Sequence, residues 1–367
     1  MPVPVLSNRA LNRATLARQL LLRRASMSAL EATEHLAGLQ AQIPSNPYTA
    51  LWSRLERFRP EELSTLLEQR RVVRIALMRS TIHLVSADDA LFLRPLVQPV
   101  LEADLARHRE YGPPLRELEL EPVLSFARAL FLERPRTGPE LRTALDAEFP
   151  QADSAALAYA CRNFLPLVQV PPRGLWGRTA QVTTTTTDAW LGRSLASEGT
   201  LDDLVLRYLA AFGPATAADV ASWSRLTGLR EVVDRLRPQL TTFRDEAGRE
   251  LFDLPGAPRP DPEVAAPARF LPEYDNVLLS HADRSRFYVS RARLGEVTGA
   301  IQGTVLHDGT VCGIWRTVQE GERSRLEVVS TVCLTKRASS AVEAEGRRYR
   351  RFAAPNADSG EVRVLAV

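Results

Sequence analysis

Two glutamines separated by one alanine, Gln40 and Gln42, have the types and spacing best suited to chemistry in this sequence. In extended backbone residues i and i+2 share a face, whereas in a helix they point in different directions. Pro44 disfavours helical angles at Ile43, so we expect the preceding helix to end near Gln40. Both side-chain amides would then project into one site from the short extended segment at residues 40–42, which we call the corner. The alternative is a polar helix end with solvated amides, because so short a motif decides nothing without its context.

Length and composition limit the class of protein. The chain has 367 residues, 45% hydrophobic and 25% charged, which suggests two or three domains with a real core. No apolar run is long enough to span a membrane, and the N-terminus lacks a signal-peptide pattern, so we expect a cytoplasmic protein with no membrane partner. The cysteines (Cys161, Cys312 and Cys333) are far apart and are interpreted as reduced. We expect no metal and no cofactor, since no ligand cluster or glycine-rich phosphate loop is present.

The positive charge is almost entirely arginine. Lys336 is the single lysine, and the net charge is only +3, which alone does not indicate nucleic acid. Arginine makes planar, bidentate contacts to phosphates and base edges, although a high-GC coding sequence gives the same bias.

Three segments repeat one plan, in which three helices are followed by a β-hairpin. In the first, about residues 12–93, Ser28 and Glu31 stand in capping-box register, and Pro47 and Pro60 each begin a helix. The predicted strands of this segment are 72–78 and 81–85, around Arg79-Ser80. The second segment, about 121–191, has predicted helices 122–132, 137–149 and 154–165 and strands 167–170 and 180–183. The third, about 200–254, has predicted helices 201–212, 215–226 and 229–239 and strands 240–243 and 250–254.

Three helices followed by a hairpin are typical of a winged helix-turn-helix module, with the third helix as recognition helix and the hairpin as wing. After a Pro-rich stretch, the predicted elements are strands 287–289, 300–306, 311–316 and 326–329, a hairpin at Asp308-Gly309 and a helix near 339–353. The predicted fold class is therefore α+β: three tandem winged helix-turn-helix units and a small C-terminal antiparallel β subdomain. The predicted boundaries are 1–110, 111–199, 200–257 and 258–367.

Five blocks in this order give the chain a family resemblance. They are LAGLQAQ (36–42), LMRSTIHLV (77–85), ATAADVASWS (215–224), LPEYDNVLLSH (271–281) and DRSR (283–286). Together with the predicted fold they resemble the AlkZ/YcaQ-like winged-helix DNA glycosylases of bacteria, over nearly the whole chain. Glutamine at the second motif position, Gln42, is similar to the AlkZ branch rather than the branch with aspartate. The resemblance implies a concave surface for double-stranded DNA, excision of N7-alkylated purines and, for some members, unhooking of interstrand crosslinks.

The residues are compatible with that chemistry. Glutamine has no site basic enough for a general base, but its carbonyl can orient a water and its NH2 can donate. An N7-alkylated purine is cationic and departs readily through an oxocarbenium-like transition state, so a positioned water suffices. Gln40 and Gln42 thus fit charged lesions and fit neutral bases poorly. Because glycosylases that also nick DNA use an amine, a chain with Lys336 alone is expected to be monofunctional.

Nine further residues are candidates for lining the site or binding DNA: Asn46, Tyr48, Arg79, His83, Asp275, Asn276, His281, Arg284 and Arg286. His83 follows the first wing turn and either faces DNA or is a hydrogen-bonded packing histidine. The residues from 275 to 281 belong to a family block and are expected to be site-lining or structural, with an electrostatic role for Asp275. Arg284 and Arg286 alternate on a predicted extended segment, which fits either phosphate contacts or a solvated face.

Two other classes of protein remain open. A winged-helix transcriptional regulator would need no catalysis and would prefer one operator sequence. A nuclease is disfavoured because no acidic metal site is present. If the chain is a glycosylase, a crosslinked purine cannot swing into a deep pocket, so we expect an open cleft, with the hairpin at Asp308-Gly309 as one candidate for DNA contact. We expect a monomer.

Overall fold

The computed structural model describes residues 3–195, 199–288, 302–320, 323–354 and 361–365. The helices are α1 (Asn8–Arg18), α2 (Ala29–His35), α3 (Asn46–Arg54), α4 (Pro60–Glu68), α5 (Ala87–Leu96), α6 (Gln98–Arg107), α7 (Leu120–Glu133), α8 (Gly138–Glu148), α9 (Ser154–Phe164), α10 (Thr187–Leu191), α11 (Leu201–Phe212), α12 (Ala217–Ser224), α13 (Leu229–Leu236), α14 (Asn276–Leu279) and α15 (Lys336–Ala353). The strands are β1 (Val5–Leu6), β2 (Leu39–Gln40), β3 (Val72–Ala76), β4 (Ile82–Ser86), β5 (Arg136–Thr137), β6 (Leu167–Gln169), β7 (Thr183–Thr186), β8 (Thr241–Asp245), β9 (Glu250–Asp253), β10 (Arg269–Leu271), β11 (Gly303–His307), β12 (Thr310–Glu320), β13 (Arg323–Ser330) and β14 (Val362–Leu365).

The first two predicted hairpins lie in one sheet. Its strand order is β2-β4-β3-β6-β7-β5, so β3 of the first segment pairs with β6 of the second. The two predicted wings therefore pair edge to edge instead of projecting separately, which satisfies their backbone groups within the protein. The third hairpin, β8 and β9, pairs with β1, and the C-terminal sheet has the order β10-β11-β12-β13-β14.

Local sequence signals explain where many helices begin. Ser28 and Glu31 form the predicted capping box at α2, and Thr137 with Glu140 forms another at α8. The same reciprocal bonding satisfies the first backbone N–H groups of α11 and α12, through Thr200 with Asp203 and Thr216 with Asp219. The remaining helical turns bury apolar side chains, since few helices of this length are stable alone.

Several sequence-based predictions were wrong in detail. All nine residues of α3 are buried, so this helix cannot serve as a recognition helix. The strand predicted at 180–183 lies instead at Thr183–Thr186. The strand predicted at 287–289 fails within the described residues, because Ser285–Phe287 is a 3₁₀ turn, and Val289 lies outside them. The predicted strand 300–306 begins outside the described residues at 300–301 and is seen from Gly303.

The hairpin at Asp308-Gly309 is confirmed, with left-handed backbone at both residues. However, its tip packs on α1. Asp308 binds Arg13 and lies 3.0 Å from Arg9, and the Gly309 carbonyl accepts a 2.7 Å bond from Asn12. A Cβ at Gly309 would lie 2.3 Å from the Asn12 Oδ1, so this close approach requires glycine. The tip is therefore fixed against α1, and its contact with DNA stays a prediction.

The core crosses the predicted domain boundaries. One cluster of buried side chains joins α2, α3 and α4 to the C-terminal sheet and α15, including Trp52, Phe270, Trp315 and Tyr349. A second joins β3 and β4 to α11, α12 and α13. The first segment therefore lies between the third segment and the C-terminal sheet. The four predicted domains, and their description as winged helix-turn-helix units, stay predictions.

Candidate active site

The backbone around Gln40 and Gln42 leaves the helical conformation earlier than predicted. Helix α2 ends at His35, and Ala37 and Gly38 are left-handed. A Cβ at Gly38 would lie 2.6 Å from a methyl carbon of Val85, so only glycine lets the chain pass this close to β4. Strand β2 then pairs antiparallel with β4, with Gln40 opposite His83. The extended backbone that the spacing required is thus present at Gln40.

Asn276, from the C-terminal part of the chain, fixes this backbone. Its Oδ1 accepts a 3.1 Å bond from the Gln40 N–H, and its Nδ2 donates to the Gly38 carbonyl at 2.5 Å. The side chain is 3% exposed, so neither bond competes with bulk water. Asn276 is therefore a positioning residue for the corner.

The side-chain amide of Gln40 has a defined orientation. The residue is 8% exposed, and its Oε1 accepts a 2.8 Å bond from Nη2 of Arg79. Because a guanidinium can only donate, the oxygen must face Arg79 and the NH2 must face away. Arg79 is itself anchored by a 2.5 Å bond from Nη1 to the Trp223 carbonyl.

Gln42 is exposed, and its side chain completes the β-ladder. Ala41 N–H donates to the Ile82 carbonyl at 2.7 Å, but the Ala41 carbonyl is taken by Arg74 at 2.8 Å. The Ile82 N–H donates instead to Oε1 of Gln42, at 3.2 Å. The two glutamine oxygens thus sit at the end of β4 next to the β3–β4 turn. Each already accepts one protein donor, which leaves one oxygen lone pair and an NH2 on each amide for a ligand.

The β3–β4 turn that carries Arg79 is strained. Arg79 and Ser80 both have left-handed backbone angles, which for such residues costs on the order of 1–2 kcal/mol each. The turn is held by Arg162, which donates to the Ser80 carbonyl at 2.8 Å, and by Asp104, which accepts from the Ser80 hydroxyl at 3.0 Å. Such strain is commonly stored where it positions functional groups.

His83 is buried within the protein and does not face solvent. It is fully buried, and Nδ1 donates to the Thr81 carbonyl at 3.0 Å. That bond leaves Nε2 as the acceptor facing Arg79, 3.4 Å away. Burial and then the charge of Arg79 lower the pKa of His83 to about 3. Of the two readings of this residue, the hydrogen-bonded packing histidine fits the structure.

Other predicted site residues make hydrogen bonds and ion pairs that stabilise the fold. Asp275, 3% exposed, caps α14 and forms a two-pronged ion pair with Arg54, at 2.7 and 2.9 Å. Asn46 donates to the Glu273 carbonyl at 2.7 Å, and the Tyr48 hydroxyl donates to the Gly174 carbonyl at 2.7 Å. These contacts hold the corner, and all three side chains are buried.

His281 and Arg286 are also interior. The Nδ1 of His281 lies 2.6 Å from the Ser280 hydroxyl, and burial followed by Arg286 lowers the pKa of His281 to about 3. Arg286 donates to the Thr15 hydroxyl at 3.1 Å and to the Pro214 carbonyl at 3.3 Å. The predicted alternation on an extended segment was wrong because the segment forms a 3₁₀ turn, which buries Arg286 and leaves Arg284 half-exposed.

An open cleft lies beside the corner. It has a volume of about 700 Å³, and Pro44 and Ser45, which directly follow the motif, form part of its wall. Tyr48 and Trp176 line it with ring centroids 4.9 Å apart, and Arg173 and Arg178 add positive charge.

Sequence reasoning missed two arginines that act on the corner: Arg54 and Arg74. Arg74 stands in the apolar strand β3, and a charged residue in such a strand is a signal that it must bond to something buried. It is 1% exposed and its single bond is to the Ala41 carbonyl. Nothing local marks Arg54, because its partner Asp275 lies far along the chain.

Comparison with known proteins places the chain in one family. The profile of the family described as DNA glycosylase AlkZ-like matches residues 33–352. The solved structure of Streptomyces sahachiroi DNA glycosylase AlkZ superposes with a TM-score of 0.74 at 20% identity, over 98% of this chain and 100% of that one, which is a likeness of fold. No curated protein matches the sequence. Within the described ranges, no helix is long and apolar enough to cross a membrane, and no group of side chains could hold a metal ion. The chain belongs to the AlkZ-like DNA glycosylase family.

Proposed function

We propose that the chain hydrolyses the N-glycosidic bond of N7-alkylated purines in double-stranded DNA, with Gln40 and Gln42 positioning the attacking water. The observation that carries this proposal is that both side-chain oxygens are fixed beside the same β3–β4 turn, one by Arg79 and one by the Ile82 N–H. Two fixed amides can hold one water from two directions, which reduces the entropy lost on reaching the transition state.

The proposed hydrolysis accounts for every bond, charge and proton without a cofactor. The bond between C1′ and N9 breaks, and its electron pair neutralises the positive charge of the alkylated purine. The water oxygen forms a new bond to C1′, and the water loses one proton to solvent. The products are a neutral alkylated base and an abasic sugar. The amide dipoles need only hold the water and stabilise the cationic sugar through their oxygens.

The surroundings of the corner favour charged leaving groups. The Gln40 oxygen accepts from a guanidinium, which makes the amide a still weaker base. His83 stays neutral because its pKa is about 3, and its free nitrogen faces Arg79. Asp275 is engaged by Arg54 and a helix end. None of these three residues can act as a general base or acid for a neutral base, so the purine must already carry its charge.

The open cleft supports a bulky substrate. A lesion joined to the opposite strand cannot be turned into a closed pocket, so an open cleft of about 700 Å³ next to Gln42 is compatible with interstrand crosslinks. Helix α13 offers an exposed face for a groove, on which Arg230 has a side chain 91% exposed. We therefore propose that the same site also accepts interstrand crosslinks and unhooks them.

The chain is proposed to lack lyase activity. Lys336 lies at the start of α15, a helix that packs on the C-terminal sheet. A Schiff base at C1′ requires an amine within bonding distance of the corner. Treatment with borohydride should therefore trap no covalent protein–DNA adduct.

Membership of a DNA glycosylase family favours an enzyme over the transcriptional regulator considered above. The test uses a duplex with one N7-methylguanine, incubated with protein and then heated in alkali. We expect strand breaks with the wild type and far fewer with the Gln40→Ala, Gln42→Ala double variant. Asn46→Ala is a matched control that perturbs a neighbouring buried amide. Equal cleavage by the wild type and the double variant would exclude the two glutamines from the reaction.

A further inference from the structure

Three arginines meet beside Gln40, and we call them the arginine triad: Arg79, Arg225 and Arg284. Arg79 comes from the β3–β4 turn, Arg225 caps the C-terminal end of α12, and Arg284 precedes the 3₁₀ turn at Ser285–Phe287. Burial and then the positive charges of Arg225 and Arg284 lower the pKa of Arg79 to about 10. The guanidinium of Arg79 therefore lies within electrostatic range of each of the other two arginines.

The packing of α12 explains why they meet. Arg79 donates to the carbonyl of Trp223, which stands two residues before Arg225 in the chain. In the same helix Asp219 accepts a 2.9 Å bond from the N–H of Ala282, two residues before Arg284. One helix thus contacts both the β3–β4 turn and the segment before Arg284.

No counter-charge for the arginine triad is found among the residues that the structure describes. Over the described ranges, neither the Arg225 nor the Arg284 side chain makes a hydrogen bond or ion pair, and the Arg79 side chain bonds to two carbonyl oxygens and contacts His83. The nearby carboxylates are occupied: Asp219 binds the Thr216 and Ala282 N–H groups, and Asp283 pairs with Arg249 at 2.9 Å. By contrast, Arg54 in the same region has Asp275. Three like charges held together without an anion indicate that the anion belongs to a ligand.

We propose that the arginine triad binds one phosphodiester of the DNA backbone next to the reacting nucleotide. Guanidinium groups match phosphate oxygens in charge and geometry, and two of the three are accessible to a ligand, since Arg225 is exposed and Arg284 half-exposed. Arg79, which also bonds Gln40, would join the phosphate site to the candidate catalytic amide. The claim that a nucleotide reacts at Gln40 rests on the proposed function, whereas the phosphate site itself does not.

The phosphate also removes an electrostatic obstacle to the proposed reaction. An oxocarbenium-like sugar forming near Gln40 would be repelled by the three positive charges if they stayed unneutralised. A bound phosphodiester cancels part of that field before the sugar becomes cationic. Binding of the backbone and chemistry at the sugar are thus linked through Arg79.

The experiment measures binding of an undamaged duplex as a function of salt. The variants are Arg225→Gln, Arg284→Gln and the double variant, with Arg225→Lys as a charge-preserving substitution. Arg116→Gln is the matched control, since it removes an exposed arginine from the connection between α6 and α7, outside the triad. Losing one phosphate contact should reduce the slope of log K against log salt by about 0.9 in the double variant. Arg225→Lys and Arg116→Gln should keep the wild-type slope.

Thermal unfolding separates ligand binding from a structural role. Because the double variant removes like charges from a crowded site, its unfolding midpoint should equal or exceed that of the wild type. A slope unchanged from that of Arg116→Gln, or a lowered midpoint, would overturn the proposal.

Excision assays distinguish failure of the phosphate site from failure of the proposed function. A wild type that leaves N7-methylguanine intact while the slope still changes refutes only the proposed function. Excision with no change of slope refutes only the phosphate site.

Discussion

Replacing Asn276 by alanine should disturb the candidate site more than any other single change outside the two glutamines. The substitution removes the acceptor of the Gln40 N–H, at 3.1 Å, and the donor to the Gly38 carbonyl, at 2.5 Å. Gly38 and Gln40 are buried, so both backbone groups would lose their partners without gaining water. Each unpaired buried group costs about 1–3 kcal/mol, so we expect the free energy of unfolding to fall by about 2–6 kcal/mol.

The effect on excision has a separate origin. With its backbone released, Gln40 can shift relative to the Arg79 guanidinium and to Gln42. A displacement of about 1 Å at a reacting group lowers a rate on the order of 100-fold. We therefore expect the single-turnover excision of N7-methylguanine to fall by roughly that factor at a temperature where the variant is still folded.

The assay combines urea unfolding with single-turnover excision, and Asn46→Ala is the control. Asn46 makes one bond, at 2.7 Å, to the Glu273 carbonyl in the same block, but it does not touch Gly38 or Gln40. Its loss should lower the unfolding free energy by about 1–3 kcal/mol and leave excision by the folded protein within a few-fold. If both variants lose excision equally once corrected for the folded fraction, Asn276 does not position the corner, and the reasoning fails.

Three further outcomes are expected. Gln42→Ala should lose most excision while Gln42→Asp keeps part of it, since a carboxylate can still accept from the Ile82 N–H; equal rates for wild type and Gln42→Ala on a duplex with N7-methylguanine would refute this. Because the pKa values of His83 and His281 are about 3 in the folded chain, the unfolded chain binds more protons below pH 6.5. Urea unfolding should therefore show stability falling as the pH drops from 6.5 towards 4.5, by up to about 1.4 kcal/mol per pH unit for each histidine, and His281→Gln should reduce the slope. Arg79→Lys should keep the folded state but lower excision, because one ammonium cannot hold the Trp223 carbonyl and the Gln40 oxygen with the same planar geometry; wild-type kinetics would contradict this.

Local chemistry made much of the fold predictable. Ser28 with Glu31 and the prolines at 47 and 60 began helices where expected, and Asp308-Gly309 made a hairpin. Such signals act over three or four residues, so their effect does not depend on the rest of the chain. The extended backbone at Gln40 followed from the same kind of reasoning.

Long-range partners were not predictable in the same way. Asn276 reaches Gln40 across 236 residues, and no pattern in the sequence pairs them. The alternation of Arg284 and Arg286 indicated a strand, but tertiary packing made a 3₁₀ turn that places only Arg284 at the surface. The buried position of α3 likewise follows from the C-terminal sheet that covers it, which no property of the helix itself indicates.

The pH dependence of single-turnover excision tests most directly whether neutral amides suffice for the reaction. We predict that the wild type excises N7-methylguanine from a duplex at a rate that changes little between pH 6 and pH 8.5, because neither amide titrates there and His83 is already neutral. A rate that rises or falls tenfold for each pH unit in any part of this range would show a titrating acid or base in the transition state and would contradict the account.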